Sequence, residues 1–496
     1  MRRLLAGMLL SVLSALACPS LTTAGASDEA LARLLIRKGI LTQEEYEALK
    51  REIEGVVLPA PATAARQPAA PPMDAESAAL PVDRLRDEVR DELKRRDEES
   101  VKVDAGAQIR VRGDFARNQN LTDFTFTPGA SEGQALERIR PRASIELPAS
   151  KVRLVTQGQW YGRRGGVDER EDLDLYQAYI EWNDILDSPV SIRAGRQELV
   201  YGSTFFLGAN DFYNGLTWDG LKLTLAPGAD FTVDAVGVTM ATLNPGDPDI
   251  YLAGVYATWR AAEGHALEGY FFYNAGFYPF SHGEVTLPSD GHRWFTLGAR
   301  VAGRAHGLDY ELEPLVQWGS VPSPDGRGSD DVRAWGGHAE LGYTFPLAWK
   351  PRIFGAYAWG SGDAKPFDGT YREFHGTVFN DHPVVGDMSV VTDLSGVTVG
   401  ETRASGVQVW VAGASLSPTA DLSLSLDAHR FFASAVPKGF SRDLGIELNL
   451  VASYRLWEKL TVLVGVNRFL TGRFFRQAAG TRRDIDYAYV QATLEF

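Results

Sequence analysis

Between Val101 and Phe115 the chain reads VKVDAGAQIRVRGDF, and apolar and polar residues alternate along the whole stretch. Successive side chains of an extended chain point to opposite sides. Val101, Val103, Ala105, Ala107, Ile109, Val111, Gly113 and Phe115 therefore share one face, and Lys102, Asp104, Gln108, Arg110, Arg112 and Asp114 share the other. Length is the constraint here. A half-buried strand of a soluble sheet runs about 5 or 6 residues, whereas a tilted strand that crosses a bilayer needs about 9 to 11. LGIELNLVASY, from Leu444 to Tyr454, repeats the pattern, as do DLSLSLDAHR and KLTVLVGVNR.

About 18 such segments follow one another from residue 101 to the end, the second starting near 136. Their connections supply an independent check. Even-numbered segments end in short turns, such as PAS near 148, AAEG at 261 and WEK at 457. Odd-numbered segments lead to long or glycine-rich loops: 117–133, 198–213, 275–290, 319–330 and the longest, about 361–404. Alternating short and long connections are the mark of an antiparallel barrel in an outer membrane, with short turns in the periplasm and long loops outside. The expected fold is all-β, a transmembrane antiparallel barrel of about 18 strands over 101–496. Beyond the N-terminus no apolar run approaches the roughly 20 residues of a membrane helix.

Residues 1–26 read as an export signal, with Arg2 and Arg3 ahead of an apolar stretch from Leu4 to Ala17 and Ala24 and Ala26 in A-x-A spacing. The one cysteine, Cys18, lies inside it; a lipid-acceptor role is the alternative, although Ala15 stands where a lipobox usually has Leu. Residues 27–100 are expected to form a short helical and linker segment in the periplasm. Gly39 separates two helices, Thr42 and Glu45 form a capping box, and Val82, Leu85 and Val89 recur amid alternating charges. That segment is either a solvated stalk or a site of self-association. The net charge of −14 argues against a nucleic-acid partner, since phosphate binding needs a basic surface.

Trp160, Trp182, Trp218, Trp259, Trp318, Trp359 and Trp457 fall near expected strand ends, where indole rings suit the two membrane interfaces. The chain ends YVQATLEF, with Ala488, Val490, Ala492, Leu494 and Phe496 on one apolar face. This resembles the C-terminal signature of bacterial outer-membrane barrels, which implies recognition by the barrel-insertion machinery and contact with outer-membrane lipid.

In a barrel the other face lines the lumen, so its charges choose the solute. The expected pore-lining residues are Arg110, Arg112, Arg140, Arg142, Arg153, Arg193 and Arg300, together with Asp104, Asp174 and Glu181. Guanidinium groups bind carboxylates through paired hydrogen bonds, which suits an acidic sugar polymer or small anions. An ion-pair lattice that only braces the wall is the competing role.

AYIEW at Ala178–Trp182, GRQELVYG at Gly195–Gly202, WDG at Trp218–Gly220 and the later SGD at Ser361–Asp363 resemble the signature region of the alginate-export family of outer-membrane proteins. Its sharpest matches are Gly195, Arg196, Gln197, Glu198, Tyr201, Gly202, Asp219 and Gly220. The resemblance implies a monomeric barrel with an arginine-lined channel for a polyuronate; oligomerisation through the N-terminal segment stays open. From the residues alone the corner is structural, with Gly195 and Gly202 permitting tight turns and Arg196 and Glu198 pairing with each other or with loop groups.

Enzymatic chemistry finds little support. Ser425, Asp427 and His429 share one face of a strand, but same-face neighbours stand about 7 Å apart, too far for a hydrogen-bonded triad. No catalytic residue, metal or cofactor is expected, apart from loop calcium at NPGDPD or SPDGRGSDD, where turn chemistry is the competing reading. The sequence thus points to a passive channel for an anionic polysaccharide or similar acidic solute. A general anion-preferring porin and a non-transporting surface-binding or tethering barrel are the alternatives.

Overall fold

The computed structural model describes residues 100–496 apart from 123, 166–168, 210, 212–213, 242–249, 278–279, 283–284, 288–289, 324–325 and 376–384. The export signal, the N-terminal helical segment and NPGDPD lie outside the described residues. Eighteen strands make the wall. In chain order they are β1 Lys102–Gln119, β2 Phe126–Leu147, β3 Val152–Gly165, β4 Arg170–Trp182, β5 Val190–Gln197, β6 Trp218–Gly228, β7 Phe231–Met240, β8 Ile250–Ala262 and β9 His265–Phe277. The second half comprises β10 Asp290–Ala305, β11 Leu308–Pro322, β12 Ser329–Thr344, β13 Arg352–Gly360, β14 Thr402–Leu416, β15 Leu422–Ala435, β16 Asp443–Trp457, β17 Leu460–Thr471 and β18 Ile485–Glu495. Each pairs antiparallel with its sequence neighbours. β18 then pairs with β1, from Gln108 opposite Glu495 to Arg117 opposite Asp486, and closes the cylinder. Closure leaves no open sheet edge, which is what a hydrocarbon environment demands of strands.

The pattern of burial is inverted relative to a soluble protein. Phe115, Leu173, Leu221, Leu341, Leu426 and Val466 are exposed on the outer face, while Arg112, Asp114, Arg138 and Glu447 are buried within. The alternation seen in the sequence is the cause, since it gives every strand one face for lipid and one for the lumen. Trp182, Trp259, Trp318 and Trp457 are outward and exposed. Trp218 is not, being fully buried, and leaves the expected belt.

β1 starts where the sequence reading expects it, but β2 begins ten residues earlier than 136, at Phe126. FTPGASEGQ is extended because β1 continues beside it, so the expected loop 117–133 shrinks to 120–125. The chain is short at the turns 148–151, 229–230, 263–264 and 458–459, and long at 198–217, 361–401 and 472–484 on the opposite rim.

The long segments fold inward instead of standing outside. Leu199, Phe205, Phe206 and Leu207 are buried, and Phe206 stacks on Tyr270 with ring centroids 5.0 Å apart. From 361–401, Val385, Met388, Val390, Val391 and Leu394 are buried. The backbone N–H groups of Asp387 and Met388 donate to Glu447 of β16 at 2.7 and 3.1 Å, and Tyr489 of β18 donates to Asp387 at 3.0 Å. Apolar side chains drive this folding, at about 1.5–3 kcal/mol for each one fully buried, and the lumen carboxylate satisfies the backbone donors they carry in. β13 stops at Gly360, and Thr370–Tyr371 continues the pairing along β12 opposite Asp331 and Val332.

Candidate functional site

The register of β1 and β2 sets Arg110 directly opposite Arg138 and Gln108 opposite Arg140. Like charges facing across a strand pair repel, and here water screens little because Arg138 and Arg140 are 2% and 5% exposed. An anion must sit between them. The chain supplies it from the inward segment: Asp211 Oδ1 accepts from Arg138 Nη1 at 2.6 Å and Arg140 Nη1 at 2.7 Å. Its Oδ2 accepts from Arg110 Nη2 at 3.0 Å and Arg138 Nη2 at 3.1 Å.

Arg140 is held in place three further ways. Its Nε donates to Gln159 at 2.6 Å, its Nη2 to the Asn214 carbonyl at 2.9 Å, and its guanidinium lies 3.6 Å from the Tyr176 ring centroid. Three guanidinium groups against one carboxylate leave the cluster cationic. Burial would push the Asp211 carboxyl up, but the hydrogen bond from Arg138 and the charges of Arg140, Arg138 and Arg110 hold it below the usual aspartate range.

Most of the other expected lumen residues have ion-pair partners of their own. Arg112 donates to Asp114 at 2.7 Å and to Tyr487 at 2.8 Å. Arg142 bonds Asp104 at 2.9 Å, and Arg193 bonds Glu181 at 2.9 and 2.6 Å. Arg153 stands between Glu146 and Glu181 in the register. Arg300 bonds Glu268 at 2.9 Å and Glu311 at 3.0 Å, whereas Asp174 pairs at 3.3 Å with Arg196, a residue on the outward alternation. At these positions the arrangement is the bracing lattice. Arg138 and Asp211 were missed by the sequence reading, although Arg138 shares the alternation of Arg140 and Arg142 and was legible by parity.

The corner motif is a support for this cluster. Gly195 and Gly220 face each other at φ +124° and +151°, and a Cβ on either would lie 2.3 or 2.4 Å from a neighbouring carbonyl oxygen. Gly195 thus serves close approach within β5, not the turn expected of it; Gly202, at φ +56°, is in the segment that follows. Arg196 binds Asp219 through two hydrogen bonds of 2.8 Å, on the alternation of the outward Leu221 and Leu223. It does not pair with Glu198. That carboxylate accepts from Tyr176 at 2.5 Å, and so ties the corner to the ring beneath Arg140. Gln197 is fully buried and bonds the carbonyls of Gly195 and Gly220, while Tyr201 donates to Asp234 at 2.9 Å and stacks on Tyr256.

Asp427 and His429 correct the spacing argument, for they do hydrogen-bond, at 2.8 Å, because their side chains lean together along the strand. Asn449 donates to the same Asp427 oxygen at 2.9 Å, so the pair belongs to a wall-bracing network.

A family model described as Alginate export matches residues 101–489, most of the chain. No curated protein matches the sequence. Among solved structures, Pseudomonas aeruginosa OpdL aligns at a TM-score of 0.54 and 12% identity, covering 80% of this chain and 99% of that one. OccK8 (OprE) of the same organism gives 0.52 and 14%, covering 80% and 98%, and OccK5 (OpdH) gives 0.52 and 11%, covering 79% and 98%. Identities this low speak for shared architecture only. The family match, spanning the whole wall from β1 into β18, shows that the chain belongs to the alginate-export family of outer-membrane β-barrel channels.

Proposed function

We propose that the protein is a passive channel for an acidic polysaccharide of the polyuronate type, with its N-terminal segment in the periplasm. The observation that carries this reading is the convergence of Arg110, Arg138 and Arg140 on one carboxylate. Asp211 occupies the place a uronate carboxylate would take. Bidentate guanidinium geometry recognises a carboxylate without needing the rest of the sugar, so successive residues of a polymer can exchange through the same cradle. No chemical step is required of the wall. On this reading Phe496, outward and exposed beside β1, is the determinant offered to the insertion machinery.

Current through single channels in planar bilayers tests the proposal. A hexameric uronate added to one chamber is expected to block the current reversibly, and a neutral oligosaccharide of equal length is expected to leave it unchanged. Anion selectivity without uronate block would instead identify a general porin, and absence of any conductance would identify a binding or tethering barrel.

A further inference from the structure

On the lumen face of β11 and β12, Glu311, Glu313 and His338 turn toward one another. The register puts Glu313 directly opposite His338, and the three side chains offer ligand atoms all within 4.8 Å of one another. Each carboxylate is fixed through one oxygen and presents the other. Glu311 Oε2 accepts from Arg300 at 3.0 Å, while its Oε1 lies 2.9 Å from His338 Nε2. Glu313 Oε1 accepts from Tyr270 at 2.8 Å. Its Oε2 lies 3.5 Å from the same nitrogen and has no hydrogen-bond partner, although Glu313 is only 2% exposed.

This is the arrangement by which outer groups orient metal ligands, one oxygen held and the other aimed at a common point. Ligand atoms about 2.0–2.2 Å from a four-coordinate metal stand about 3–3.5 Å apart, close to the separations seen here. Charge agrees. Glu268, Glu311 and Glu313 oppose Arg300 alone in this bonded group, and a divalent cation on a neutral His338 closes the balance.

We infer that Glu311, Glu313 and His338 form a binding site for a first-row divalent cation, with zinc the best fit to one imidazole nitrogen and two carboxylate oxygens. The site lies against the inward segment 198–217. Ser203 Oγ is 3.5 Å from His338 Nε2, and the Phe205 ring packs on the imidazole at 4.4 Å. A bound cation therefore braces the wall on which that segment, and with it Asp211, is seated. The inference does not depend on the solute.

The test uses the full-length chain without a histidine tag, extracted in detergent, stripped with chelator and titrated with zinc chloride by calorimetry. One zinc per chain is expected, with micromolar or tighter affinity. His338→Gln and Glu313→Gln should each weaken it at least tenfold, while His306→Gln, in the turn between β10 and β11, should not. Heat-modifiable electrophoretic mobility reports whether each variant is folded. If the His338 variant fails to fold, X-ray absorption of the zinc-loaded wild-type chain decides: one imidazole nitrogen among oxygens supports the site, and an all-oxygen shell overturns it. Absence of stoichiometric zinc, or equal affinity in folded His338→Gln, also overturns it and leaves a protonated His338 bridging two carboxylates.

Discussion

Replacing Arg110, Arg138 and Arg140 together by Gln is expected to abolish uronate block and move the reversal potential toward cation selectivity. Hydrogen bonds to charged groups contribute about 1.5–3 kcal/mol each, and the cradle directs four of them at one carboxylate. Gln can replace part of that hydrogen bonding but none of the charge. A net loss of about 2–4 kcal/mol corresponds to roughly 30- to 1000-fold weaker block. The sign of the selectivity should change as well, because Asp211 then stands in the lumen without its three cations. Single replacements should do less, since two guanidinium groups still hold the carboxylate. Arg112→Gln with Arg142→Gln is the informative control. Those side chains already belong to Asp114 and Asp104, so that pair should keep its selectivity; if it loses as much as the triple variant, the lumen charge acts diffusely and the cradle is not the selecting element.

Asp211→Asn is expected to have the opposite effect on solute and to weaken the fold. Without the tethering charge a solute carboxylate competes with a neutral amide instead of a carboxylate for the three guanidinium groups, so uronate block should tighten about tenfold and anion selectivity should rise. Removing one partner of a buried ion pair can cost about 3–5 kcal/mol; a third of this carboxylate is exposed, which lowers the expected loss of stability to about 1–3 kcal/mol. The root of the segment should stay seated, because Leu199, Phe205, Phe206 and Leu207 remain buried. Thermal unfolding and block in the same preparation check both halves. Unchanged block would show that solute does not reach the cradle.

Acid gives a related signature in the wild-type chain. Asp211 titrates below its unfolded value, so its stabilising contribution is present above the ordinary aspartate range and is lost only as pH falls through the lowered folded value. Between pH 7 and pH 5 the tether should hold.

The wall was legible in the sequence because its signal is local. Alternation within one segment decides which side chains meet lipid, and eighteen segments each carry that information independently. β2 escaped in part because TPGASEG has turn composition and is kept extended only by its neighbour. The cradle was half legible. Arg110, Arg138 and Arg140 follow from parity, but Asp211 lies 101, 73 and 71 positions away along the chain, in a segment whose inward course depends on packing against other strands. Nor did local pattern show that Arg112 and Arg142 are already satisfied. No metal beyond loop calcium was expected from the sequence because familiar metal motifs place ligands close together within one element; Glu313 and His338 meet across a ladder, which only register reveals.

On the proposed function, a closed cylinder with an outward apolar face selects anions through an internal cluster of three arginines. The reversal potential of the wild-type chain in a planar bilayer under a potassium chloride gradient reports whether it does so. The expected value lies on the chloride side of zero and approaches zero as salt rises and screens the lumen. A value on the potassium side at low salt would overturn anion selection by the cluster.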